Sequence, residues 1–280
     1  MKLGYCTWGM PTVPVDTQIE HVAGLGFDGI ELTVIPRFLT DLYAMDAAER
    51  KRIKQLLIDH DLDLPAIAGH TRLMETDPDL HAKNLQRLRD TIDLAVEWTI
   101  GDAPPALDTT TGGQSGQWET HKEMLAERMG ELVEYGASRG VIIAIEPHVA
   151  DIVDTPAKTI ALLEMINSPY LKVNFDISHF DVIGMSIEES VAPLARHSVH
   201  THVKDQLGRA PDHEFLIPGE GNFDYVTYLK SMQKHGYDGY ITVEVSVMVQ
   251  RRSDYDPLAA TTLSYQTLER AFREAGISRQ

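Results

Sequence analysis

Eight short apolar runs alternate with eight stretches of helical period along these 280 residues, and that alternation limits the fold more than any other feature of the chain. The runs are Leu3–Thr7, Gly29–Thr33, Leu64–Ala68, Ala106–Thr110, Val141–Glu146, Leu171–Asp176, Ser198–Lys204 and Tyr240–Val245. Between them, Val15–Leu25, Ala47–Asp59, Leu80–Glu97, Met124–Ser138, Pro156–Ile166, Ile187–Leu194, Tyr225–His235 and Thr261–Ala275 place apolar residues at i, i+3 and i+4, the helical period. Boundary residues agree. Asp46 precedes Ala47 as an N-cap, and Thr155-Pro156 puts proline at a first helical position. Gly26, Gly140 and Gly236 each follow a helical stretch and precede a run, as left-handed C-terminal caps do. Eight β units alternating with eight α units predict a (β/α)8 barrel, the TIM-barrel architecture, as a single domain over residues 1–280. An open doubly wound sheet would carry a glycine-rich first turn, and no such turn follows the first run.

Charge narrows the partners. With 42 acidic against 25 basic residues, the formal charge is −17, a surface that repels nucleic acid and anionic membranes. No apolar run approaches the roughly 18 residues of a bilayer span. The start, Met1-Lys2-Leu3-Gly4-Tyr5-Cys6, lacks a leader-like apolar stretch, so a cytoplasmic location is expected. Cys6 is the single cysteine, which excludes an intrachain disulfide and a cysteine-based zinc site.

Within this pattern, four successive runs end in residues able to bind a metal or move a proton: Glu146 and His148, Asp176 and His179, His202, and Glu244. Burying an unpaired carboxylate costs several kcal/mol, roughly, so four strands doing so together imply a common target. In a β/α barrel that target lies at the C-terminal strand ends. Residues two apart share a strand face, which aligns Glu146 with His148 and His202 with Lys204. Glu146, Asp176, His202 and Glu244 form an oxygen-rich set with one imidazole, suited to one divalent ion. Mn²⁺ or Mg²⁺ fits best, and Co²⁺ or Zn²⁺ would be accepted. Singly, Asp176 also reads as a helix N-cap and His202 as a core histidine; Glu146 and Glu244, inside apolar patterns, have no such plain alternative. Glu31 and His70, at the ends of the second and third runs, are candidate substrate contacts. Trp8, Trp118 and Phe38 read equally as sugar-stacking or packing residues. The glycine-rich stretch Thr109–Gly116 fits no phosphate-binding spacing and reads as a substrate-side loop.

The set Glu146, Asp176, His202, Glu244 resembles that of the sugar phosphate isomerases/epimerases, the xylose isomerase-like barrels. Gly29-Ile30-Glu31-Leu32, Phe175-Asp176-Ile177-Ser178-His179, His202-Val203-Lys204-Asp205 and Pro218-Gly219-Glu220-Gly221-Asn222-Phe223-Asp224 extend the likeness over the chain. The resemblance implies metal-dependent work on a keto sugar or keto-polyol: proton removal beside a carbonyl, through an enediolate. Glu146 and Glu244 would be both ligands and proton carriers, and His179 and Arg209 substrate contacts. Ketose epimerases of this group carry a second glutamate where this chain has Ile152, and this chain adds His148, a base suited to neutral pH. That departure opens a lyase reading. With His148 as base, the enzyme would expel a β leaving group as inosose dehydratase or C-glycoside deglycosidase catalytic subunits do, and Lys204 would stabilise negative charge or pair with Asp205. Isomerase or epimerase stands first and lyase second. An apurinic endonuclease conflicts with the acidic surface, and an inert barrel conflicts with the intact ligand set. A homo-oligomer, or a hetero-oligomer with a second subunit, is expected.

Overall fold

The computed structural model describes residues 1–279. Eight parallel strands close into a barrel: β1 (Lys2–Cys6), β2 (Gly29–Thr33), β3 (Ala66–Ala68), β4 (Ala106–Thr110), β5 (Ile143–Glu146), β6 (Leu171–Asp176), β7 (Ser198–Val203) and β10 (Tyr240–Val243). β10 pairs with both β7 and β1, with Lys2 opposite Tyr240, so the wall has no open edge. Around it lie α1 (Val15–Leu25), α2 (Ala47–Asp59), α3 (Pro78–Glu97), α4 (Trp118–Arg139), α5 (Pro156–Ile166), α7 (Ile187–Leu194), α8 (Tyr225–Lys234) and α10 (Pro257–Ala275). Short α6 (Ile177–Asp181) and α9 (Val247–Gln250) cover the mouth end of β6 and β10.

The strand alternation decides where the core lies. Leu3, Tyr5, Ile30, Leu32, Ile67, Leu107, Ile143, Ile145, Val173, Phe175, Val203, Ile241 and Val243 are buried in one apolar cluster with the helices. Each such side chain contributes roughly 1.5–3 kcal/mol by leaving water. The residues out of step with them face the lumen. Glu31 on β2 touches His200 and His202 on β7, a contact that crosses the barrel. Ala66, Ala106 and Ala144 form a separate small cluster low in the lumen.

The expected elements are present with shifted ends. β3 begins at Ala66 instead of Leu64, β5 at Ile143 instead of Val141, and β10 ends at Val243, leaving Glu244 just beyond the strand. Asp46 and Thr155 cap α2 and α5 by accepting from Glu49 N–H and Lys158 N–H. Gly26 and Gly140 take the left-handed conformation at helix ends, with φ of 97° and 71°. Helix α4 starts at Trp118, six positions before Met124, with no side-chain cap, and α10 at Pro257, where the Asp256 carboxylate accepts from Leu258 and Ala259 N–H. One element was not anticipated. After β7, an antiparallel hairpin of β8 (Asp205–Arg209) and β9 (Asp212–Leu216) projects from the mouth.

Candidate active site and metal centre

At the mouth, the polar lumen face reaches the surface. Glu146 ends β5, Asp176 ends β6, His202 lies one residue before the end of β7, and Glu244 follows β10. Ligand atoms from these four lie within 4.8 Å of one another, and all four residues are buried. Ligands bound at about 2.0–2.2 Å on opposite sides of one ion stand about 4.2 Å apart, so the span fits a single ion.

Neighbours hold members of this set in place. Glu31 Oε2 accepts from His202 Nε2 at 2.6 Å, which leaves His202 Nδ1 as the atom facing the square, 3.3 Å from Glu146 and 3.9 Å from Glu244. A carboxylate behind an imidazole fixes its tautomer and orientation in this way at metal sites. Asp176 is at once the N-cap of α6 and a member of the square. Its Oδ1 accepts from Ser178 N–H at 2.9 Å and from the Ser178 hydroxyl at 2.6 Å, and its Oδ2 faces the centre. Lys204 does not pair with Asp205. Its ammonium donates to Asp176 Oδ2 and Glu244 Oε2, while Asp205 accepts from the backbone N–H groups of Gly219, Gly221 and Phe223 and thereby shapes the Pro218–Asp224 loop.

Electrostatics separate the charged groups from the neutral ones. Burial opposes the His202 imidazolium, but Glu31 and Glu244 outweigh it and hold its pKa well above the usual histidine range. Burial likewise opposes ionised Glu146, yet the bond and charge of His202, then Lys204, hold it well below the usual carboxylate range. His179 goes the other way. Burial, then the charges of His148 and Lys204, push it well down, so it is neutral at pH 7. Two other groups adjoin the square, Cys6 with Glu31 and His202, and His70 with Asp108 and Glu146. Burial pushes the Cys6 thiol up, and burial with Glu31 and Glu146 raises Asp108, which disfavours the anionic form of each.

Above the square is a cavity of about 210 Å³, with Trp8 and Phe215 among its walls and His70, His148, His179, Lys204, Glu146 and Glu244 facing it. The His148 and His179 rings lie with centroids 3.9 Å apart and planes tilted by 43°, and Phe215 meets His179 edge-on at 5.1 Å. His148 Nδ1 accepts from Ala150 N–H at 3.2 Å, so the neutral ring carries its proton on Nε2. His179 Nδ1 is buried with no partner.

The sequence candidates therefore divide by place. Glu146, Glu244, His148, His179, Lys204 and His70 meet at the cavity, with Asp176 and His202 beneath it. Glu31 is fully buried behind His202, away from the cavity. Arg209 sits on the hairpin with its side chain 61% exposed, 3.5 Å from Asp181, and does not line the cavity. Trp118 is the buried first residue of α4, whereas Trp8 and Phe38 pack together, with Trp8 at the cavity. Ile152 is fully buried and would touch a Cβ on Gly113 at 3.1 Å, so it packs the loop after β4 against the loop after β5.

Sequence reasoning missed Phe215 and Asp108. Phe215 had a signal: the turn residues Gly208 to Pro211 followed by the alternation Asp212-His213-Glu214-Phe215-Leu216. Asp108 had the same one as Glu244, a lone carboxylate inside an apolar run, Leu107-Asp108-Thr109. It is fully buried, and its carboxylate makes no hydrogen bond, although Oδ2 lies 3.5 Å from His70 Nε2.

Comparison with known proteins agrees with this fold. Fructoselysine 3-epimerase of Shigella flexneri is 26% identical over 273 residues, covering 89% of this chain and 91% of that protein. Inosose dehydratase of Histophilus somni is 26% identical over 165 residues, covering 52% of each chain. The crystal structure of IOLI protein with a bound zinc atom superposes with a TM-score of 0.78 at 18% identity, covering 98% of both chains, and shows the shared fold. The profile of the xylose isomerase-like TIM barrel family matches residues 19–266, and the chain belongs to that family.

Proposed function

We propose that the protein is a divalent-metal-dependent isomerase or epimerase that moves a proton on the carbon beside the carbonyl of a keto sugar or keto-polyol. The observation that carries this reading is the placement of Glu146 and Glu244. They come from strands separated by two others in the wall, and both face His202 Nδ1 and the same cavity. A substrate carbon between them meets a carboxylate from each side. One can take the proton and the other return it, each worth about 10²–10⁴-fold in rate. A cavity of about 210 Å³ accommodates a single sugar unit.

Glu146, Asp176, His202 and Glu244 would hold the ion, with Mn²⁺ preferred for three carboxylates and one imidazole, and Mg²⁺, Co²⁺ or Zn²⁺ as alternatives. When bound, such an ion supplies Lewis acidity for charge that develops on a substrate oxygen. Neutral His179 and the Lys204 ammonium would bind substrate oxygens, and Trp8 and Phe215 would cover the sugar face and exclude water. The name of the Shigella relative, a 3-epimerase, supports this class of reaction.

A second reading is a lyase that eliminates a β leaving group from a keto sugar, with His148 as base; a dehydratase among the relatives favours it. For His148 to act as base through Nδ1, the bond from Ala150 N–H must open. Its Nε2–H is already set as a donor to a leaving oxygen, and the unpartnered Nδ1 of His179 is the ring atom able to accept a proton. Arg209, tied to Asp181 at the rim, would reach only a substrate longer than one sugar unit. Exposed Leu39, Ile183, Leu207 and Met248 at the mouth end suit a second copy or a second subunit there, within a cytoplasmic protein. Among the described residues, no helix is long and apolar enough to cross a membrane.

The test is solvent deuterium incorporation with Mn²⁺ supplied, across ketoses, inososes and 3-keto glycosides. Deuterium in a recovered or isomerised sugar supports the epimerase or isomerase. Loss of water or an aglycone supports the lyase. No exchange by protein that holds its metal contradicts both.

A further inference from the structure

We propose that the Lys204 ammonium is an internal counter-ion for the ion-free site, and that a divalent ion binds only as Lys204 leaves Asp176 and Glu244. The proposal rests on the metal-centre reading above and concerns what the square does before it is loaded.

Asp176 supplies the decisive geometry. Its Oδ1 is committed to Ser178, accepting from both the backbone N–H and the hydroxyl. Oδ2 is therefore the oxygen it can offer to an ion, and Lys204 donates to that oxygen. Lys204 also holds Glu244 Oε2, so one side chain occupies two of the four prospective ligands. Lys204 is itself 2% exposed, and no surface accident explains an ammonium at that depth. Three carboxylates with ligand atoms this close would repel one another strongly if left alone in a buried site. Among the described residues, the cationic side chains that meet them are His202, which faces Glu146 and Glu244, and Lys204, which holds Asp176 and Glu244. His179 lies 3.5 Å from Asp176 but is neutral. Without Lys204, Asp176 would have no cationic side chain donating to it.

An ammonium on a four-carbon stem is a compact charge that can swing away, unlike a planar guanidinium held in a fork. Lys204 has a place to go. It lines the mouth cavity, and its Nζ lies 5.7 Å from the centre of the Phe215 ring, a face that attracts cations. Loading the ion thus releases a positive charge into the space where substrate binds. The site would then fill in a fixed order, ion before substrate. An ion held through His202 Nδ1 would release that atom's proton to solvent, whereas the Lys204 ammonium keeps its proton and only changes partners.

Titration calorimetry of Mn²⁺ into metal-free wild type and Lys204→Met tests this. The variant is expected to bind Mn²⁺ tighter by about tenfold or more, because the competing cation is gone. Its metal-free form should melt below wild type, and saturating Mn²⁺ should close that gap. Should metal-free Lys204→Met fail to survive, both proteins are purified loaded with Mn²⁺, and release to a chelator is followed instead. Slower release from the variant is then expected. Equal or weaker affinity in the folded variant, or equal or faster release, would overturn the proposal. Folded wild type and variant that both fail to bind Mn²⁺ would overturn the metal-centre reading, and the competition with it.

Discussion

Ile143 and Ile145 on β5 pack outward into the helix layer, while Ala144 and Glu146, one residue out of step, face the lumen. The same split runs around the barrel: Leu107 against Asp108, Phe175 against Asn174 and Asp176, Val203 against His202 and Lys204. Both faces are buried, so depth does not distinguish them. What differs is the energy of being there. The outward face gains by leaving water. The inward face loses by it, and mutual pairing offsets the loss for Glu31 with His200 and His202, and for Lys204 with Asp176 and Glu244. The outward face therefore accounts for the fold, and the inward face carries the candidate site.

If that division holds, substitutions on the two faces should fail in different assays. The largest effect is expected from Glu146→Gln or Glu244→Gln. Turnover on a responsive keto sugar should fall by at least about 10²-fold with the circular dichroism spectrum unchanged; retained turnover would remove both glutamates from the chemistry. Phe175→Ala strikes the outward face, where the ring meets Phe180 and Tyr228. Urea denaturation should show a loss of about 3–5 kcal/mol, with turnover per folded molecule preserved. Glu31→Gln sharpens the contrast, because the residue is as buried as Phe175 but serves the inward face. Mn²⁺ affinity should drop about 10–100-fold in calorimetry, with less cost to stability than Phe175→Ala.

The smallest effect belongs to neither face. Glu188 on α7 is bonded to Lys234, His235 and Ser231, which lower its pKa to about 2. Its folded value lies below its unfolded one. Its stabilising contribution is thus present above the ordinary carboxylate pKa of 4.5 and lost as pH falls from there through about 2. Because the side chain is 52% exposed, Glu188→Gln should only slightly flatten the acid limb of a melting-temperature profile. A larger change would mean that the helix layer depends on this pair more than on its apolar packing.

The same division explains what could be read in the sequence. Outward residues repeat, so every strand and helix of the barrel is visible as periodicity, down to caps such as Asp46 and Thr155. The candidate ligand square is visible because a carboxylate inside Ile-Thr-Val-Glu-Val or Ile-Ala-Ile-Glu violates that periodicity. Partnerships across the lumen are not. Nothing local tells that Glu31 on β2 backs His202 on β7, 171 positions away, or that Lys204 reaches Asp176 and Glu244 and not its neighbour Asp205. Strand-end glutamate and histidine look alike in sequence whether they line a cavity or support what does. The β8–β9 hairpin was obscured for another reason: its outer positions are polar, so only the turn and the short alternation near Phe215 marked it.

The most direct test counts the ion. Metal content should be measured on wild type and Asp176→Asn after equilibration with Mn²⁺ and dialysis. The inward face described here predicts one Mn²⁺ for each wild-type chain and a marked loss in the variant. Folded wild type that retains no ion, or an Asp176→Asn variant that retains it undiminished, would contradict a metal centre built from Glu146, Asp176, His202 and Glu244.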